Sequence, residues 1–186
     1  MSAQRVVNRN MLEAIYERAL AEKITPALKQ RLRPLGLDLD QPLPTSLTVP
    51  IYARCLAITV EEVFPELEPK EGMTELARRL THAHCDTAVG YASAKLAHLL
   101  GPQRMLRWLG RMFRAVDSYS SVRVIEEGPT CFRIMTNATD VPVGYGEGVF
   151  EELLRIAGAN DPHAEAIGGD ETGDAFRVWW SEPPGR

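Results

Sequence analysis

The apolar residues of this chain recur at helical spacing as far as Val116 and then, after Asp117, at every second position. No other feature constrains the fold as tightly. Residues three and four apart share one face of a helix, whereas a strand alternates its faces residue by residue, so the change of period marks a change of architecture. Before it, Met11, Leu12, Ile15 and Ala19 predict an amphipathic first helix from Val6 to about Ala21. A shorter helix over Ile24–Arg33 stops at Pro34 and Gly36, and Leu37–Pro50 reads as a proline-punctuated linker. A third helix starts near Thr48, with Pro50 in its first turn, carries Tyr52, Leu56, Val60 and Val63 as its stripe, and ends at Pro65 and Pro69. A long fourth helix is predicted from Gly72 to His98. Gly101 and Pro102 stop it and start a fifth, Pro102–Val116, with Met105, Leu106, Leu109, Met112, Phe113 and Val116 on one face.

After Asp117, Val122, Val124 and Glu126 alternate with Arg123, Ile125 and Glu127, and Gly128-Pro129 turns the chain into Cys131–Met135, a β-hairpin. Pro142, Gly144, Gly146 and Gly148 lead into a helix through Phe150, Leu153, Leu154 and Ile156, closed by Gly158. Ala164–Ile167, a glycine-rich loop and Asp174–Trp180 make a second hairpin. The expected fold is α+β: a helical N-terminal part, residues 1–116, packed on a small antiparallel sheet of strand-strand-helix-strand-strand order in residues 117–181. Four strands cannot bury their faces without the preceding helices, so one domain over 1–186 is expected.

Composition excludes several classes. Hydrophobic residues at 45% and charged residues at 25% are those of an ordinary globular protein. The uncharged stretch Leu43–Ala53 carries two prolines and falls short of the roughly 20 apolar residues of a membrane span. The first residues carry charges and amides where a signal peptide has an apolar segment, so a cytoplasmic protein is expected. Cys55, Cys85 and Cys131 are unpaired by spacing and read as small buried hydrophobes. A net charge of -4 argues against general nucleic-acid binding.

Several constellations carry candidate chemistry. Arg104, Arg107, Arg111 and Arg114 form a stripe along the fifth helix, beside Trp108, suited to an acidic partner or an anion, with Glu126 or Glu127 as possible intrachain counterions. His82, Cys85 and Asp86 share a helix face but lack a fourth ligand, so no metal site is expected; a surface contact of His82 with Asp86 is. Val143–Gly148 lacks the lysine of a phosphate-binding loop, and its glycines are read as a sharp turn with Tyr145 covering the end of the core. Glu61-Glu62, Glu126-Glu127 and Glu151-Glu152 are read as solubilising pairs, and no catalytic residue emerges. Tyr91, Met112, Phe113, Met135, Tyr145 and Phe150 could line an apolar ligand pocket or simply be core.

The run from Gly101 through Pro102 and Arg104 to Arg114, the segment Pro142–Gly148 and the final Phe176-Arg177-Val178-Trp179-Trp180 resemble a family of paralogous myxobacterial proteins of unknown function. Ser118–Trp180 resembles more distantly the ligand-domain fold shared by vinyl-reductase-like sensors, haem nitric-oxide-binding domains and Bet-type tethering subunits. That resemblance implies a helical cap over an antiparallel sheet, with a lipid, haem or aromatic effector between them in relatives. Tyr119, Ser121 and Arg123 spell the Tyr-x-Ser-x-Arg signature that holds haem propionates, but one strand early; the matching strand would be Phe132–Thr136. The candidate iron ligands His82, His84 and His98 lie on an earlier helix, so no cofactor is expected, haem included.

Two functions remain open. One is a non-enzymatic sensory or regulatory module holding a hydrophobic or amphipathic small molecule between helices and sheet. The other is a homodimeric interaction or scaffold module, using the basic helix 102–116 or the small residues around Gly90, with a second copy or an acidic protein as partner.

Overall fold

The computed structural model describes residues 5–116, 120–137, 140–170 and 173–182. Its first element is a strand. β1 (Val6–Asn8) pairs antiparallel with β2 (Ser46–Thr48), and Arg9 N donates to Thr45 O at 2.9 Å to extend the contact. The predicted first helix therefore loses its start and the proline-punctuated linker gains a strand. Each is only three residues long, and their pairing spans about forty positions, beyond the reach of local periodicity. Helix α1 (Arg9–Glu13) widens into a π-helical segment, Ala14–Ala19.

α2 (Pro26–Leu32) is capped by Thr25, whose Oγ1 accepts from Leu28 N at 3.1 Å. α3 (Val49–Val63) starts at Thr48 and Pro50 as expected, although the Thr48 side chain makes no capping bond. The predicted fourth helix is two. α4 (Pro69–Cys85) ends at Asp86, and α5 (Ala88–Val116) begins after Thr87, whose Oγ1 accepts from Gly90 N at 3.0 Å. Gly90 is buried, and a Cβ there would strike the backbone carbonyl of His84. The small residue that could have served a partner helix thus closes the chain's own α4–α5 turn. Gly101, at φ 73° and ψ 168°, kinks α5 where a stop and restart was expected, and Pro102 resumes the helix.

The second half follows the predicted order: β3 (Val122–Gly128), β4 (Cys131–Thr136), α6 (Tyr145–Ile156), β5 (Asn160–Asp170) and β6 (Gly173–Ser181). The sheet is antiparallel throughout, ordered β3-β4-β6-β5. The fold is α+β, with helices covering one face of the sheet. On that face Phe132 stacks on Trp180 with centroids 5.7 Å apart, and Phe176 meets Phe150 of α6 edge-on at 5.0 Å.

Buried apolar residues form two clusters. The helical cluster joins Leu12, Ile15 and Leu20 to Leu28, Leu56, Leu76 and Leu80. The sheet cluster joins Met105, Leu106 and Leu109 of α5 to Phe132, Ile134, Phe150, Leu154, Val178 and Trp180. Among the described residues no helix is long and apolar enough to cross a membrane.

Candidate functional site

The two clusters meet along α4 and α6, and the local sequence of α6 explains how. Gly144, Gly148 and Glu151 recur at helical spacing on the side that faces α4. A Cβ at Gly144 would strike Lys70 O, and one at Gly148 would strike Thr74 O, so these glycines let two backbones approach. A Cβ at Gly146 would run into the Phe176 ring. Thr74 Oγ1 lies 3.0 Å from Lys70 O and 3.1 Å from Gly144 O, tying the two segments together. The glycine-rich segment serves close packing, and Tyr145 covers the helical cluster, its hydroxyl 3.3 Å from that of Tyr52. Burial, then the neighbouring Tyr145, pushes the Tyr52 phenol well above its usual pKa.

Such close approach also buries charge. Glu147, Glu151 and Glu152 are only 5%, 7% and 6% exposed. Glu151 Oε2 accepts from Arg78 Nε at 2.8 Å and from Arg78 Nη2, while Oε1 accepts from Ala164 N at 3.1 Å. One carboxylate therefore links α4, α6 and β5. Glu152 Oε1 lies 3.0 Å from His82 Nδ1, and Oε2 accepts from Arg155. Lys70 Nζ stands 3.3 Å from Glu147 Oε1, but among the described residues that buried oxygen makes no aligned hydrogen bond. Burial, and then the proximity of Glu147, raises the Asp174 carboxyl above its usual pKa.

This seam corrects two expectations. The Glu151-Glu152 pair is buried and cross-linking rather than solubilising, and His82 engages Glu152 rather than Asp86. Cys85 turns back on its own helix, Sγ donating to Thr81 O at 3.3 Å, and burial pushes its thiol up to about 11. His84 stands apart from the other histidines. Among the described residues its Nδ1 is buried with no hydrogen-bond partner, and desolvation lowers its pKa. His98 Nδ1 lies 3.4 Å from Ile156 O and His163 Nε2 lies 3.2 Å from Asp161.

Of the six residues considered for a ligand pocket, the five whose side chains are described are distributed among three environments. Phe150 is buried in the sheet cluster and Phe113 packs against it. Tyr145 belongs with the helical cluster. Tyr91 is 56% exposed with Lys95 Nζ over its ring, and Met135 is 39% exposed. The side chain of Met112 lies outside the described residues, as does that of Arg114. Of the arginine stripe, Arg104 is exposed, Arg107 donates to Glu126 at 2.7 Å, and Arg111 lies 4.7 Å over the Trp108 ring. Glu127 instead meets Arg133 at 2.5 Å and Arg177 at 3.2 Å across the outer face of the sheet.

Helices capping one face of a four-stranded antiparallel sheet, with α6 inserted between its hairpins, define an H-NOX-like fold. Similar solved structures include a Cs H-NOX mutant carrying 4-cyano-L-phenylalanine, at TM-score 0.72 and 9% identity over 95% of this chain and 98% of that one. An oxygen-binding H-NOX domain related to soluble guanylate cyclases matches at TM-score 0.69 and 10% identity, covering 95% and 96%. The Fe(II) unliganded H-NOX protein from K. algicida matches at 0.64 and 12%, covering 94% and 96%. The chain belongs to the family described as "Protein of unknown function (DUF2378)", whose model matches residues 5–181. No curated protein matches it.

This likeness overturns the expectation of no cofactor. Two of the similar structures are described by their haem, so the fold is one that accommodates it in those proteins. At about 10% identity the relation lies in the arrangement of elements, where a search for locally spaced ligands cannot find it. Haem iron needs a ligand nitrogen not already engaged, and among the described residues His84 Nδ1 is buried with no hydrogen-bond partner. Of the Tyr-x-Ser-x-Arg residues, Tyr119 lies outside the described residues and Ser121 N donates to Asn137 Oδ1 at 2.8 Å. Arg123 is exposed on the outer face of β3, opposite Met135. The residues fit haem at the iron ligand, through His84, and not at its carboxylates through Arg123.

Proposed function

We propose that the protein is a sensory binding module that holds a hydrophobic or amphipathic small molecule between its helical layer and its sheet, with haem the first ligand to test. The observation that carries this reading is the likeness, over nearly the whole chain, to H-NOX proteins described with haem, Fe(II) and oxygen. The unpartnered buried Nδ1 of His84 supports it from within the chain.

Bound haem would supply an iron able to take a small gaseous ligand. The chain's own residues would do the rest. His84 would hold the iron, and the two apolar clusters would exclude water. The Arg78–Glu151 and His82–Glu152 pairs would couple any shift of α4 to α6 and, through Ala164, to β5. A seam cross-linked in this way would pass a displacement at the ligand to elements on its far side.

Haem titrated into purified protein is expected to give a Soret band that His84→Ala abolishes while far-UV circular dichroism stays unchanged. Native mass spectrometry should then find one haem mass per chain. A bound small molecule of another mass would keep the module and replace the ligand. No Soret band and no bound mass would sink the reading.

A further inference from the structure

We propose that the open edge of β3, with the arginine face of α5 beside it, is a docking groove for an extended acidic segment of a partner protein, which adds to the sheet as a fifth strand. The inference goes beyond the ligand-binding reading and does not depend on it. β3 is an edge strand, since the sheet runs β3-β4-β6-β5. Asn137 N donates to Ser121 O at 3.2 Å, which fixes the phase of the ladder. In an antiparallel pair the backbone groups of alternate residues point to the partner strand and away from it. Those of Arg123 and Ile125 therefore face β4, and those of Val122, Val124 and Glu126 face outward.

That outward edge lines one wall of a cleft of about 400 Å³, whose other wall is Arg107, Gly110 and Arg111 of α5. The missing side chain at Gly110 brings the helix onto the start of the strand, where a Cβ would lie 2.9 Å from Val122 O. Among the described residues pairing is thus open at Val124 and Glu126, enough to register a short strand. An exposed strand edge invites main-chain addition, and flanking charge selects the partner.

The selection here is for carboxylates. Arg111 is stacked on Trp108, with no carboxylate at ion-pair distance among the described residues, and neither has Arg104. Arg107 is paired with Glu126, but both side chains are about half exposed, so an incoming acid can exchange for that contact. Side chains of an added strand alternate in direction, so acids at every second position would face the arginines.

The probe is a fluorescent peptide of about eight residues alternating glutamate and valine. It is expected to bind the full-length protein, and Arg107→Glu with Arg111→Glu, both on the surface, should weaken it roughly tenfold or more. A lysine–valine peptide should not bind. Methylating alternate backbone nitrogens of the glutamate–valine peptide should abolish binding in one of the two phases, and amide shifts should concentrate at Val124 and Glu126. The proposal is overturned if the glutamate–valine peptide does not bind, if both methylated peptides bind as well as the parent, or if charge reversal has no effect. It is equally overturned if a single-stranded oligonucleotide of the same charge displaces the peptide as well as unlabelled peptide does.

Discussion

The helical cluster and the sheet cluster are built alike, but the join between them is built differently from either. Inside the helical cluster the polar groups are satisfied by neutral hydrogen bonds within the cluster: Tyr16 shares a hydrogen bond with Thr59 at 3.0 Å, and Thr59 donates to Cys55 O at 2.7 Å. Inside the sheet cluster aromatic rings pack on one another, one pair stacked and one edge-on. Between them, α4 and α6 meet through glycine-backbone contact and buried carboxylates. Apolar burial is non-directional and sets cohesion, whereas a buried ion pair is directional and tolerates one geometry. The clusters therefore supply stability and the seam supplies register.

The sharpest way to break that contrast is Gly148→Leu, which drives a side chain into Thr74 O and the Ala77 Cβ. It should cost about 3 kcal/mol or more in denaturant unfolding, because backbone cannot yield as a side-chain tip would. A loss below about 1 kcal/mol would mean the helices are free to part. Arg78→Ala comes next. It strands a carboxylate whose side chain is 10% exposed, but Arg78 is itself 36% exposed, so water partly replaces it and about 2 kcal/mol is expected. Arg78→Lys should cost less, since one of the two contacts to Glu151 survives.

The smallest effect concerns His84. Burial lowers its folded pKa from 6.5, so below that value the unfolded chain binds the proton more readily. The stability gained by a neutral His84 is complete above pH 6.5 and is lost as pH falls from there through the lowered folded value. His84→Gln should remove this part of the acid slope. Unfolding curves at a series of pH values would check it, and identical slopes in both proteins would exclude the mechanism.

Much of the frame was legible in the chain. The first hairpin, α2, α3 and α6 appear where Gly, Pro and the apolar period place them, because those signals act within a few residues, whereas β5 of the second hairpin runs Asn160–Asp170, through the glycines expected as its loop. The break at Asp86-Thr87 carried a local sign, a threonine three residues before Gly90, which the continuous apolar stripe outweighed. The β1–β2 pair carried none, since neither strand is long enough to alternate visibly. Within the seam, the spacing of Gly144, Gly148 and Glu151 was readable as one face of a helix. Adjacent acids nevertheless suggest solvent, because nothing nearby in the chain neutralises them.

By itself the sequence determined most of the longer helices and strands and which of their faces are apolar, since propensity, capping and period are properties of neighbours. Only the tertiary structure decided which charges could be buried. Glu151 meets Arg78 across 73 positions and Glu152 meets His82 across 70, and a carboxylate leaves water only when a distant element brings its partner.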